Sequence, residues 1–202
     1  HKSGEIAKGF LIGKLFNSRW VIERAIRDYE LRLDTQKLSK VSCFIANAIR
    51  SVKNAETLDQ LRGFEGAASQ YFSVFNDLIL QQKEDFSFSS RNKRPPLDNV
   101  NAMLSFCYTL LAHDCASALE TVGLDPYVGF LHRDRPGRIS LALDLMEELR
   151  PILADRFVIS LINKKLVRPD GFVKKENGAV VTDDDTRKII LNSWHKRNQE
   201  II

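Results

Sequence analysis

The sequence predicts a mainly α-helical domain that carries one small β-hairpin near its carboxyl end. Three observations lead there. Apolar residues recur at helical spacing through the first two-thirds of the chain. Two polar loops, residues 83–97 and 124–138, separate those periodic segments. Turn-forming Asp170-Gly171 and Asn177-Gly178 flank a short alternating stretch near the end.

Taken in order, residues 5–33 place Ile6, Phe10, Leu11, Leu15, Trp20, Ile22 and Ile26 at mostly helical spacing without proline. Leu38, Val41, Ile45, Ala48 and Ile49 predict a second helix over 36–53, and a short one is expected from Glu56 to Arg62. After Gly63-Phe64-Glu65-Gly66, a further helix buries Ala67, Tyr71, Phe72, Phe75, Leu78 and Ile79. The stretch KEDFSFSSRNKRPPL then breaks the pattern, because Pro95-Pro96 cannot lie inside a helix. Asp98 starts a long apolar helix to about residue 121, with Gly123 as its C-terminal cap. Helix resumes from Ile139 to Arg150, and Pro151 begins another. Phe172-Val173 and Ala179-Val181 form the hairpin, for which Asn177-Gly178 favours a type I′ turn. Asp183 to Asp185 start the last helix.

The 202 residues suffice for one sizeable domain, read here as 1–202. A composition of 44% hydrophobic and 28% charged residues allows a core without staples. The charge of +4 permits a nucleic-acid partner without demanding one. Cys43, Cys107 and Cys115 are odd in number and widely spaced, so they read as reduced core residues, not a disulfide frame or a zinc site. No apolar run approaches the roughly 20 residues needed to cross a bilayer. No signal peptide is visible, and the expected location is cytoplasmic, away from membranes. The chain opens on His1 and stops after Ile201-Ile202, as a piece of a longer protein would.

The chemistry concentrates on residues 139–150. At about 100° per residue, Ile139, Leu141, Ala142, Leu145, Met146 and Leu149 fill one side of the helix and Ser140, Asp144, Glu147 and Glu148 the other. Asp144 and Glu147 are neighbours one turn apart. Two carboxylates that close need a cation between them or water around them. A wet helix face supplies the water and is the plainer explanation. The preceding loop supplies the other: His132 is ringed by Arg133, Arg135 and Arg138, whose guanidinium groups suit phosphate oxygens. Imidazole, carboxylates and a phosphate-friendly loop are what metal-assisted phosphoryl chemistry requires. Glu65 sits between Gly63 and Gly66, which allow close approach, and begins a helix, where the dipole favours a carboxylate. It serves equally well as a helix-start residue.

These residues also carry a family resemblance. Leu61-Arg62-Gly63-Phe64-Glu65-Gly66-Ala67-Ala68-Ser69-Gln70-Tyr71-Phe72 resembles the glutamate motif of the CRISPR-associated adaptation integrases, the "Cas-one" endonucleases. Arg94-Pro95-Pro96-Leu97-Asp98-Asn99-Val100-Asn101 is similar to their central proline–asparagine motif. Val128-Gly129-Phe130-Leu131-His132, followed by Leu141 to Pro151, resembles their histidine and acidic-helix motifs. Gly13-Lys14-Leu15-Phe16-Asn17-Ser18-Arg19 is similar to their lysine–asparagine–arginine helix. The match spans nearly the whole chain in the family's motif order and looks most like the branch found with type I-C systems. Asn99 and Cys107 depart from the residues common in the family.

The resemblance implies the helical catalytic lobe without the family's amino-terminal β-rich domain, which supports the homodimer of the full-length protein. It implies that Glu65, His132 and Glu147 bind one Mn²⁺ or Mg²⁺ beside Asp144, which orients the nucleophile or acts as a base. It implies a spacer-acquisition reaction of antiviral defence. The 3′-hydroxyl of a captured DNA fragment attacks the CRISPR repeat, with a small adaptation partner subunit present. Lys14, Arg19, Arg62, Arg91, Lys93, Arg94, Arg133, Arg135 and Arg138 are the expected DNA contacts, with a solvated surface as the other explanation for each. Tyr71 and Tyr108 are expected in the core. Two rival readings remain: a general metal nuclease acting on branched DNA, and a non-enzymatic helical DNA-binding or assembly module whose acids form a wet face.

Overall fold

The structure, a computed structural model, describes residues 2–55, 57, 60–61, 64–132 and 135–201, apart from the side chains of Lys2, Glu65, Ala68, Glu200 and Ile201. The short helix expected over 56–62 lies largely outside the described residues, as do Arg62 and Arg133. The order is α1 (Lys2–Tyr29), α2 (Thr35–Lys53), α3 (Glu65–Ser73), α4 (Asn99–Thr121), α5 (Ser140–Leu149), α6 (Arg156–Asn163), β1 (Phe172–Lys174), β2 (Val180–Thr182) and α7 (Asp184–Ile201). The predicted class, mainly α with one hairpin, is the class observed.

Helix starts follow their capping chemistry. Asp34 accepts from the Lys37 N–H at 2.9 Å, Asp98 from Asn101 at 2.7 Å and Asp183 from Thr186 at 2.7 Å. Each carboxylate satisfies a donor that has no partner inside the first turn. Gly123 ends α4 at φ +78, as predicted. Two boundaries differ from expectation. The third helix stops at Ser73 and tightens into a 3-10 turn over Phe75–Leu78. Pro151 does not open a new helix, because Arg150–Asp155 continues α5 as a π-helical segment into α6. Proline lacks an N–H and crowds the preceding turn, and a wider turn relieves both. Arg197 on α7 then donates to the carbonyls of Ile152 and Leu153 at 2.6 and 2.9 Å.

The core runs through α1, α2, α4, α5 and α6, with Leu15, Ile22, Leu38, Ile45, Met103, Leu104 and Ile162 fully buried. Helix α4 corrects the reading that no apolar run nears membrane-spanning size, since by length and composition it is long and apolar enough to cross one. In the fold it is the central core helix. Trp194 of α7 donates to its Asp114 at 2.8 Å and packs edge-on to Phe157 at 5.2 Å. Cys107 and Cys115 are buried, and burial pushes the Cys115 thiol up to about 12. Cys43 is exposed, contrary to its expected core position, because it faces outward from α2.

The hairpin pairs Phe172 with Thr182, Val173 with Val181 and Lys174 with Val180, antiparallel. Its turn is not type I′. That turn needs positive φ at both central residues, and here only Gly178 has it, at +80. The Gly178 N–H bonds the Lys175 carbonyl and the Lys175 N–H bonds that of Ala179, making a three-residue loop closed by a left-handed glycine. Val180 also donates to Pro96, docking the hairpin on the 83–97 loop. Asn101 pins that loop from inside: fully buried, it accepts from Arg91 and the Asn92 N–H and donates to Ser90 and Asp98. Four bonds on one amide leave nothing unsatisfied, as burial demands.

Candidate active site

The polar face of α5 is covered, not wet. Ser140 and Asp144 are fully buried and Glu147 is 7% exposed. Helix α1 covers it from one side, coming so close that a Cβ at Gly13 would lie 2.7 Å from the Glu148 side chain. The 128–132 segment covers it from the other. A Cβ at Gly129 would meet that of Ser140 at 2.6 Å, so only glycine allows the approach. The solvated-face explanation of Asp144 and Glu147 therefore fails.

Asp144 binds the histidine segment from beneath. Its Oδ2 accepts the N–H groups of Phe130 and Leu131 at 2.6 and 2.9 Å. Its Oδ1 accepts the His132 N–H at 2.9 Å and meets His132 Nδ1 at 2.6 Å. Burial alone would raise this carboxyl, but the His132 side chain and the three N–H groups outweigh it and hold the pKa below the usual range. As an ionised acceptor, Asp144 is matched to a proton on Nδ1, the ring nitrogen that it faces. Donors occupy both of its oxygens. This is the orientation that a carboxylate imposes on a metal-ligating histidine.

Glu147 stands one turn on, between two cations. Lys14 Nζ is 2.6 Å from Oε2 and Arg150 Nη2 is 2.8 Å from Oε1. Burial raises the Glu147 pKa, but Lys14 first and Arg150 second bring it down to about 2, and His132 lies near enough to contribute. Lys14, His132, Asp144 and Glu147 are thus brought together. Among the described residues no three His, Cys, Asp or Glu side chains gather closely enough to hold a metal. The Glu65 side chain lies outside that set, so of the three expected ligands only His132 and Glu147 are described.

Sequence reasoning missed the layer behind Glu147. Arg150 lies over the Tyr108 ring at 4.5 Å, and Arg91 approaches the same ring at 5.1 Å. Tyr108 donates to Asp155 at 2.6 Å. Burial lifts the Asp155 carboxyl to about 6, against the lowering effects of Tyr108 and Arg150. The one available signal was Arg150 three residues after Glu147. Tyr71 is buried in the core, as expected, and Tyr108 partly so.

The expected DNA contacts divide. Lys93, Arg94 and Arg135 are exposed, and Arg138 is half-buried. Arg19 is held by Ser42 at 3.0 Å and Glu23 at 3.2 Å. Arg91 is taken up by Asn101 at 2.8 Å and Ser105 at 3.0 Å. Lys14 is committed to Glu147.

A helical domain whose acidic helix and histidine loop are locked together defines a class, and comparison with known proteins names it. Residues 1–196 match the family described as CRISPR associated protein Cas1, and the chain belongs to that family. A Rhodospirillum rubrum protein named CRISPR-associated endonuclease Cas1 2 is 51% identical over 201 residues, covering 97% of this chain and 58% of that protein. CRISPR-associated endonuclease Cas1 of Leptospira interrogans is 45% identical over 199 residues, 98% of this chain and 78% of that protein. Among solved structures, a casposase bound to integration product aligns with TM-score 0.81 at 30% identity, over 96% of this chain and 52% of that one. A partial Cas6-RT-Cas1–Cas2 complex aligns with TM-score 0.87 at 26% identity, over 99% and 59%. The chain spans a little under three-fifths of the Rhodospirillum rubrum relative's length.

Proposed function

We propose that this chain is the catalytic lobe of a DNA endonuclease and integrase of CRISPR spacer acquisition, acting with divalent metal. The observation that carries this is the Asp144–His132 pair, held on the same helix face as the anionic Glu147. Naming in the family as an endonuclease and the casposase's integration product support the same reading.

The donor set suits Mn²⁺ or Mg²⁺: imidazole nitrogen from His132, carboxylate from Glu147 and a third ligand from Glu65. Such an ion supplies Lewis acidity to the phosphoryl oxygens. The chain's own residues do the rest. Asp144 faces the imidazole Nδ1, Arg150 steadies the Glu147 carboxylate, and Lys14 brings an ammonium to the same point. The reaction exchanges one phosphodiester for another. The oxygen of a captured fragment's 3′-hydroxyl bonds to a repeat phosphorus as the bond to the repeat's own 3′-oxygen breaks. The proton lost from the first hydroxyl is regained by the second, so no energy carrier is needed. A homodimer and a small partner subunit belong to this proposal, the latter supported by the Cas1–Cas2 assembly of the structural relative.

The test is half-site integration of a short duplex into a repeat-bearing plasmid, using the full-length protein with its partner subunit. Glu147→Ala and His132→Ala are expected to abolish joining, and to abolish stabilisation by Mn²⁺ in thermal melts. Undiminished joining by either variant sinks the assignment. Hydrolysis of branched DNA without joining would favour the general nuclease.

A further inference from the structure

Helix α1 and the continuous α5–π–α6 rod run side by side in one direction. Lys14 meets Glu147 at 2.6 Å and Asn17 donates to the Glu148 carbonyl at 2.8 Å. Further along, Arg24 of α1 comes beside Arg156 of α6, close enough for the two charges to repel. Both belong to a cleft of about 310 Å³ that also takes in Asp28, Ser160 and Lys164. Beyond Arg156 a second cleft of about 530 Å³ opens between α6 and α7, lined by Arg156, Ser160, Lys164, Ser193, Lys196 and Arg197. Among the described residues no acidic side chain lines it.

The local charges do not balance. Asp28, which shares the first cleft with Arg156, is already paired with Arg24 at 3.2 Å and Arg27 at 3.0 Å. Arg197 is spent on two carbonyls. Arg156, Lys164 and Lys196 have no ion pair among the described residues. Burial lowers the Arg156 pKa first and Arg24 lowers it further, against a smaller raising effect of Asp28. Their arrangement is also extended. At 1.5 Å per residue, and less through the π segment, Arg156 stands about 12 Å along the rod from Glu147, and Lys164 about 12 Å further.

We propose that Arg156, Lys164 and Lys196 form a phosphodiester track that holds DNA leaving the active site, with the Ser160 and Ser193 hydroxyls as additional donors. The inference rests on the reading of residues 132–147 as a DNA-processing site. A polyanion fits better than a small anion because Arg156 and Lys164 stand about 12 Å apart along α6, with Lys196 reaching the same cleft from α7. Nucleic acid fits better than an acidic protein because the cleft lies on the rod that carries Glu147 and is lined by Arg, Lys and Ser side chains. With 3.4 Å per nucleotide along a strand, Arg156 meets a phosphate about four nucleotides from the one at Glu147.

The experiment compares the full-length protein with its Arg156→Gln/Lys164→Gln/Lys196→Gln variant, binding a labelled 20-base-pair duplex and a hairpin with a stem of three base pairs. Both are measured in EDTA between 50 and 200 mM salt. Removing three phosphate contacts lowers the slope of log affinity against log salt by about 2.7, so the wild-type advantage on the long duplex shrinks roughly 40-fold over that range. On the short hairpin the two proteins bind alike. Unchanged affinity and slope on the long duplex overturn the track, as does an equal loss on both DNAs or a wild-type protein that binds neither. A variant that instead loses polyglutamate binding while keeping DNA marks an acidic-protein surface. His132→Ala separates the two readings. Undiminished joining by His132→Ala alongside a weakened triple variant removes the proposed chemistry and leaves the track. Joining lost in His132→Ala with an unaltered triple variant does the opposite.

Discussion

Replacing Asp144 with asparagine tests the coupling between the acidic helix and the histidine segment. The carboxylate accepts two donors on each oxygen: Phe130 and Leu131 on Oδ2, the His132 N–H and Nδ1 on Oδ1. An amide has one acceptor atom, so whichever way it turns, its NH₂ faces two donors. Each buried donor left without an acceptor costs about 1–3 kcal/mol. Relaxation recovers part of that, leaving about 3 kcal/mol of local destabilisation. At 1.36 kcal/mol per decade this is roughly a 100-fold rise in local opening. Hydrogen exchange reads it directly. The amides of Phe130, Leu131 and His132 are expected to lose about two decades of protection in Asp144→Asn, while those of Met103 and Leu104 in α4 change far less. Integration falls in parallel because the segment that carries the His132 ring is no longer held by four bonds to one carboxylate. Unaltered protection at residues 130–132 would refute the claim that Asp144 holds the segment.

Two further outcomes follow from the same contacts. Gly129→Ala places a methyl 2.6 Å from the Ser140 Cβ, and the segment must shift; a loss of about 1–3 kcal/mol in urea unfolding is expected, with weakened joining. Glu147, lowered from 4.5 to about 2, contributes stability that is fully present above pH 5 and is lost as pH falls toward its folded value. About 2 kcal/mol of that contribution is gone by pH 3. The stability difference between wild type and Glu147→Gln should therefore narrow by about that amount between pH 6 and pH 3, and a difference that stays flat would contradict the Lys14–Glu147–Arg150 arrangement.

Much of this protein was legible in one dimension because the signals are local. Helical spacing, the caps at Asp34, Asp98 and Asp183, and the glycine stop after α4 each depend on a few consecutive residues. Motif order sufficed to place the chain in its family. Where several backbone solutions fit one signal, local reading erred. Asn177-Gly178 accepts more than one tight turn, and Pro151 can be absorbed by a π turn as well as by a helix start.

The tertiary structure decided what the polar residues do. On its own, α5 is an amphipathic helix whose acids belong in water. Only the approach of α1 at Gly13 and of the 128–132 segment at Gly129 buries that face. Burial then gives every charge an obligation: Asp144 must take four donors, Glu147 must have Lys14 and Arg150, and Arg150 must have Tyr108. Those partners lie as far apart in sequence as residues 14 and 147. The sequence therefore determined which residues were candidates, through local periodicity and motif. The fold determined which of them lie together, because desolvation and charge pairing act across space and leave no trace in sequence spacing.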